Sequence, residues 1–145
     1  MNDSQARRTA GCACGQLSIT VQGEPLRVGI CSCLQCQRRT GSLFGAGSFF
    51  DMAQVVETSG AERTYTRQGD SGRSVTFHFC PECGSSVFWT RDHRPDLMTV
   101  AVGAFADPSF PAPARSVWEE ARHHWVMLDP ELPHFPQGTP PAPAG

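Results

Sequence analysis

Three tight cysteine clusters constrain this chain more than any other feature: Cys12 and Cys14, then Cys31, Cys33 and Cys36, then Cys80 and Cys83. The spacings are C-x-C, C-x-C-x-x-C and C-x-x-C, which place several sulfurs on single turns and let them converge on one ion. Seven is odd, so a closed disulfide framework would leave one thiol over. Gly15 follows Cys14 and Gly84 follows Cys83, and a glycine there lets the backbone aim its N–H groups at sulfur. Each outer knuckle borders an alternating apolar run, so pairing those strands would gather Cys12, Cys14, Cys80 and Cys83 into one four-thiol site. Zinc accepts four thiolates tetrahedrally in closed structural sites. Single cysteines are often small buried hydrophobes, but paired knuckles rarely are, and an iron–sulfur cluster ranks below zinc.

Cys31, Cys33 and Cys36 offer three thiolates, one short of a closed tetrahedron. Three protein ligands and an open position characterise catalytic zinc. Three thiolates also make the centre electron-rich, which suits exchange of a thiolate ligand better than strong activation of water. Two other readings stay open. A fourth ligand from His78, His93, His123, His124, His134 or a carboxylate would close the site into a second structural one. Alternatively, Cys33 and Cys36 could form a redox pair, although no thioredoxin-like βαβ pattern surrounds them. Arg38 and Arg39 follow directly and could soften the thiolate charge or hold the carboxylates of an anionic substrate; adjacent arginines are as often plain solvated surface. Thr40 and Gly41 open a turn that could line a pocket or simply lead into the next strand.

The clusters sit between short apolar runs. Leu17, Ile19 and Val21 alternate with polar residues, as do Val75, Phe77 and Phe79, the period of half-buried strands. Residues 43–50, 86–90 and 97–102 predict further strands, and residues 116–119 and 125–128 two late ones. One short helical turn is expected over residues 35–39, and residues 107–113, with three prolines, must be a loop. With 14 glycines and 12 prolines, turns are favoured over long helices. The expected fold is mainly β: a single zinc-binding domain over residues 10–135, a polar tail over 1–9, and a Pro/Gly-rich disordered tail over 136–145. Trp89, Trp118, Trp125 and the phenylalanines read as core or pocket wall and His78 and His134 as surface; Tyr65 and Arg73 could reach a pocket, which no motif requires.

A net charge of −2 supplies no basic excess to neutralise a phosphate backbone, so nucleic acid is not an expected partner. No apolar run approaches the roughly 18 residues of a membrane helix, and no apolar signal-peptide core follows the start. The expected location is cytoplasmic, where the cysteines would be reduced.

The same residues resemble the glutathione-dependent formaldehyde-activating enzyme family, also called the centromere-protein-V/GFA domain. The matching segments are residues 11–15, 31–41, 79–84 and 102–108, with Trp125 and residues 132–135 similar to the family's closing motif. The resemblance implies an Mss4-like β fold, a structural zinc on Cys12, Cys14, Cys80 and Cys83, and a second, catalytic zinc on Cys31, Cys33 and Cys36. It implies a carbon–sulfur lyase that makes or breaks the C–S bond of a thiol adduct of the S-hydroxymethylglutathione type, with glutathione or another small thiol as substrate. An exposed three-thiolate site loses metal more readily than a closed one, so partial filling of the second zinc site is expected. Two positions depart from the family pattern: Ser32 and Ser116 stand where it often has histidine. The alternative is a non-catalytic, zinc-stabilised protein-binding module.

Overall fold

The computed structural model describes residues 6–69 and 72–139. The rest of both expected tails, residues 1–5 and 140–145, lies outside the described residues. The chain is mainly β, with ten strands and one short α-helix among the described residues: β1 (Arg7–Gly11), β2 (Ser18–Gln22), β3 (Arg27–Cys31), α1 (Leu34–Thr40), β4 (Gly45–Asp51), β5 (Val55–Ser59), β6 (Arg63–Gln68), β7 (Ser74–Phe79), β8 (Ser86–Arg91), β9 (Arg94–Ala101) and β10 (Arg115–Val117). Its backbone contacts divide it into two compact units. The first takes the described residues up to Arg27 together with Gly47–Pro111; the second takes Val28–Ala46 together with the described residues from Ala112 onward. Both units are built from two separated stretches of chain, so no linker composition could have announced them.

In the first unit, β1, β2 and β5 form an antiparallel sheet in that order. Ile19 and Val21 are fully buried, as their alternation predicts, and Thr9 opposes Thr20 with their hydroxyls 2.8 Å apart. Strands β4, β9, β8, β7 and β6 follow one another antiparallel in a second sheet. Phe50, Val87 and Val100 are fully buried on it, and Phe105 lies 6.2 Å from Phe50 and stacks 4.6 Å from Phe110. β4 passes close to its neighbours at Gly47, where a Cβ would meet Thr99 at 2.9 Å and the Trp89 ring at 3.1 Å.

The second unit pairs β3 with β10 in parallel, Ser116 opposite Ile30. The closing segment adds to the same edge: the Ser116 N–H donates to Pro133 O and the Phe135 N–H to Ser116 O, both at 2.9 Å. The N–H groups of Trp118 and Glu120 donate to Gln137 O and Pro136 O at 3.0 and 3.2 Å. Residues 136 and 137, expected in a disordered tail, are therefore hydrogen-bonded.

Other expectations shift in informative ways. Residues 7–9, expected in the polar tail, belong to β1, and β5 and β6 were not foreseen. Every residue of β6 except Arg67 is exposed, so no face alternates. β10 stops at Val117 because Trp118 adopts a left-handed conformation at φ 58°. Residues 125–128 form no strand; the Val126 N–H turns back onto His123 O at 3.0 Å. The 107–113 loop is present, with the Asp107 carboxylate accepting from both the N–H and the hydroxyl of Ser109 at 2.9 and 2.7 Å.

Candidate metal centres

In the first unit, the Sγ atoms of Cys12, Cys14, Cys80 and Cys83 all lie within 4.8 Å of one another. Cys12–Cys14 and Cys14–Cys80 are each 3.7 Å apart. A tetrahedron with metal–sulfur bonds of about 2.3 Å has an edge of roughly 3.8 Å, so the four thiols have the spacing a zinc ion requires. Cys12 begins the turn after β1, where its sulfur accepts the Leu17 N–H at 3.2 Å, and Gly15 completes the turn at φ 84°. Cys80 accepts from the Glu82 N–H at 3.3 Å and from the Gln16 side-chain amide at 3.0 Å. Gln16 is itself fixed by the main chain of Ala61, accepting its N–H at 2.9 Å and donating to its carbonyl at 2.5 Å.

These donors shape the thiols' acidity. The Ser85 hydroxyl, then the Ser85 N–H, holds Cys83 down to about 5. Burial pushes Cys80 up, but the N–H groups of Cys83 and Glu82 and the Gln16 amide outweigh it and hold it below the usual thiol range. A main-chain hydrogen bond from Gln16 favours ionised Cys14, yet desolvation and the neighbouring Cys12, Cys80 and Cys83 sulfurs push it up to about 12. Four crowded sulfurs surrounded by N–H and O–H donors favour anionic sulfur overall and resist ionising all together without a cation.

In the second unit, the Sγ atoms of Cys31, Cys33 and Cys36 also lie within 4.8 Å of one another, and all three residues are half-buried. Cys31 ends β3. Cys33 caps α1, its sulfur accepting the Cys36 N–H at 3.3 Å, and Gly41 terminates the helix in the left-handed conformation at φ 69°. Contact with Cys33 and Cys36, then burial, drives the Cys31 thiol far up. Cys36 is also raised: its contact with Cys31 and the Arg39 charge lower it, while Cys33 and burial prevail. Among the described residues no histidine or carboxylate joins this group within the same distance. None of the five histidines considered as a fourth ligand therefore closes it.

The remaining candidate residues fall around α1. Arg38 is exposed in its last turn, whereas Arg39 is half-buried and folds toward Gly45, where a Cβ would meet its guanidinium at 2.8 Å. The Thr40 hydroxyl donates to Cys36 O at 2.8 Å and accepts the Ser42 N–H at 3.0 Å, so it holds the helix end. Ser32 and Ser116 are buried to within 1%. Sequence reasoning passed over Gln37, whose amide donates to Ser32 O at 2.8 Å and Ala121 O at 3.0 Å and whose oxygen lies 3.0 Å from His123 Nε2. It also passed over Gln16 and Ser85. None of these three lies between the cysteines of a cluster, and their roles arise from contacts up to 86 positions apart in the chain.

A small β protein carrying one four-thiol and one three-thiol group is the class that fold and sites define. The family model for the glutathione-dependent formaldehyde-activating enzyme matches residues 7–121, and the chain belongs to that family. Trp125 and residues 132–135, which resemble the closing motif, lie beyond the match. No curated protein matches the chain. A crystal structure of a Rhodobacter sphaeroides protein solved by structural genomics is similar, with a TM-score of 0.50 and 24% identity over 66% of this chain and 85% of that one. That likeness concerns the fold. Among the described residues no helix is long and apolar enough to cross a membrane.

Proposed function

We propose that this chain is a zinc-dependent carbon–sulfur lyase acting on a small thiol adduct of the S-hydroxymethylglutathione type. The observation that carries this reading is the three-thiol group, which lacks a fourth ligand among the described residues and so leaves a coordination position for substrate. Family membership supports the reaction class. When bound there, zinc would accept the substrate sulfur and make it a better leaving group. Cys31, Cys33 and Cys36 would be the ligands of this second site, and Cys12, Cys14, Cys80 and Cys83 would hold a structural zinc. The guanidinium of Arg38, exposed at the end of α1, would bind a substrate carboxylate, while Arg39 tempers the charge beside Cys36 and Thr40 and Gly41 keep the turn in place.

The test is zinc content together with formaldehyde release from S-hydroxymethylglutathione, for the wild type and Cys33→Ser. Serine caps a helix as well as cysteine does, so the substitution removes a ligand without removing the cap. About two zincs per chain falling to one, with release lost and the circular dichroism unchanged, is the expected result. One zinc in both proteins, and no release from either, would instead favour the non-catalytic binding module.

A further inference from the structure

The described histidines differ sharply in what their ring nitrogens can still do. His78 and His93 lie in the first unit, each beside a carboxylate, Glu62 at 3.1 Å and Asp92 at 3.5 Å. His134 has both nitrogens engaged, Nδ1 with Glu119 at 2.6 Å and Nε2 with Asp129 O at 2.9 Å. His123 and His124 are both exposed, but only His123 has one nitrogen held by Gln37, and that hold determines its tautomer.

Both Gln37 amide protons go to carbonyls, Ser32 O and Ala121 O, which can only accept. The orientation of the amide is thereby settled, and its oxygen must be the acceptor facing His123. Nε2 therefore carries the proton, and Nδ1 of the neutral ring carries the lone pair. The Trp125 ring stands edge-on to the imidazole at 6.2 Å. Ser32 is the residue between Cys31 and Cys33, so a single side-chain amide separates the imidazole from the backbone that carries two of the three thiols.

We propose that His123 is the general base of this site, with Nδ1 accepting the hydroxyl proton of the thiol adduct directly or through one water. The assignment rests on the lyase reading above. In the cleavage direction Nδ1 takes the proton of RS–CH2–OH, and the O–H electron pair becomes the second C–O bond of formaldehyde. The C–S bond breaks with its pair on sulfur, releasing the thiolate; in the reverse direction the imidazolium returns the proton. Gln37 suits both states, because Nε2–H donates to the same oxygen whether or not Nδ1 is protonated.

Two measurements test this. In nitrogen-15 spectra of the wild-type protein, neutral His123 should be the Nε2–H tautomer to the near exclusion of Nδ1–H, and Gln37→Leu should admit a measurable Nδ1–H fraction; a mainly Nδ1–H ring in the wild type would overturn the proposal. In kinetics with S-hydroxymethylglutathione, His123→Gln should lower kcat roughly 10²-fold or more with little change in KM and unchanged zinc content. Added imidazole should partly restore His123→Gly. An active wild type with an equally active His123→Gln would overturn the base assignment and leave the lyase reading standing. A wild type that binds zinc in both sites and releases no formaldehyde would overturn the lyase reading and this assignment with it.

Discussion

Gly60 and Gly45 show how the same small residue serves two different constraints. At Gly60 the backbone has φ 99°, and an added Cβ would lie 1.7 Å from Gln16 O, a main-chain atom with nowhere to go. Gln16 in turn holds Cys80, so the glycine fixes the turn that presents a donor to the four-thiol group. Gly60→Ala should destabilise the protein by roughly 2–3 kcal/mol, read as a lower urea midpoint. At Gly45 the obstruction is the tip of Arg39, a flexible side chain that can swing aside. Gly45→Ala should therefore leave the urea midpoint within about 0.5 kcal/mol of the wild type, and an equal loss for both variants would contradict the distinction. The cysteines themselves were legible because their spacing is local. Their supporting donors were not, because a glutamine or serine acquires that role only from what the fold brings to it.

At the scale of elements, α1 has only 7 residues, too short to persist by helix propensity alone. A short helical turn over residues 35–39 was readable, but what caps it, Cys33 and Gly41, and what holds it down, the Gln37 clamp, were not. The closing segment is held differently. Glu119 accepts from His134 and pairs with Arg122, and Arg122 also donates to Val126 O. Asp129 O can only accept, so both His134 nitrogens donate only when the ring is an imidazolium. Its hydrogen bond to Glu119, then that to Asp129 O, raises its pKa above 6.5. Burial alone would raise Glu119, but the hydrogen bond from His134, with the neighbouring Ser116 and Arg122, brings it below 4.5. The histidine's contribution is complete below about pH 6.5 and fades as pH rises through its folded value. That of the carboxylate is complete above about pH 4.5 and fades as pH falls through its own. The stability difference between wild type and His134→Asn should therefore be greatest between these values and shrink toward alkaline pH. A difference that stays constant from pH 5 to 9 would contradict the pairing.

Across the whole molecule, the two units differ in what can hold them. The first has a core of stacked aromatic and aliphatic side chains, and Phe50→Ala should cost it about 3–5 kcal/mol, measured by denaturant unfolding. In the second, Val28 and Ile30 are the buried apolar side chains among the described residues, beside the buried hydroxyls of Ser32 and Ser116. Such a unit relies on hydrogen bonds and on whatever joins its three thiols. In Cys33→Ser, amides of α1 and β10 should exchange with solvent at least tenfold faster, while those of β7, β8 and β9 stay within about twofold. Uniform acceleration would show that the two units open together.

By itself, the sequence determined that this chain would be mainly β and would carry a four-thiol and a three-thiol group, because strand alternation and knuckle spacing are written within a few residues. Only the tertiary structure decided that the chain divides into two units, each drawn from two separated stretches, and that polar β5 and β6 become strands, since neighbours rather than residue type supply their pairing. It likewise decided that no histidine completes the three-thiol group among the described residues and that Gln37 orients His123. Those facts depend on which side chains meet across up to 86 positions of sequence, and local pattern carries no record of that.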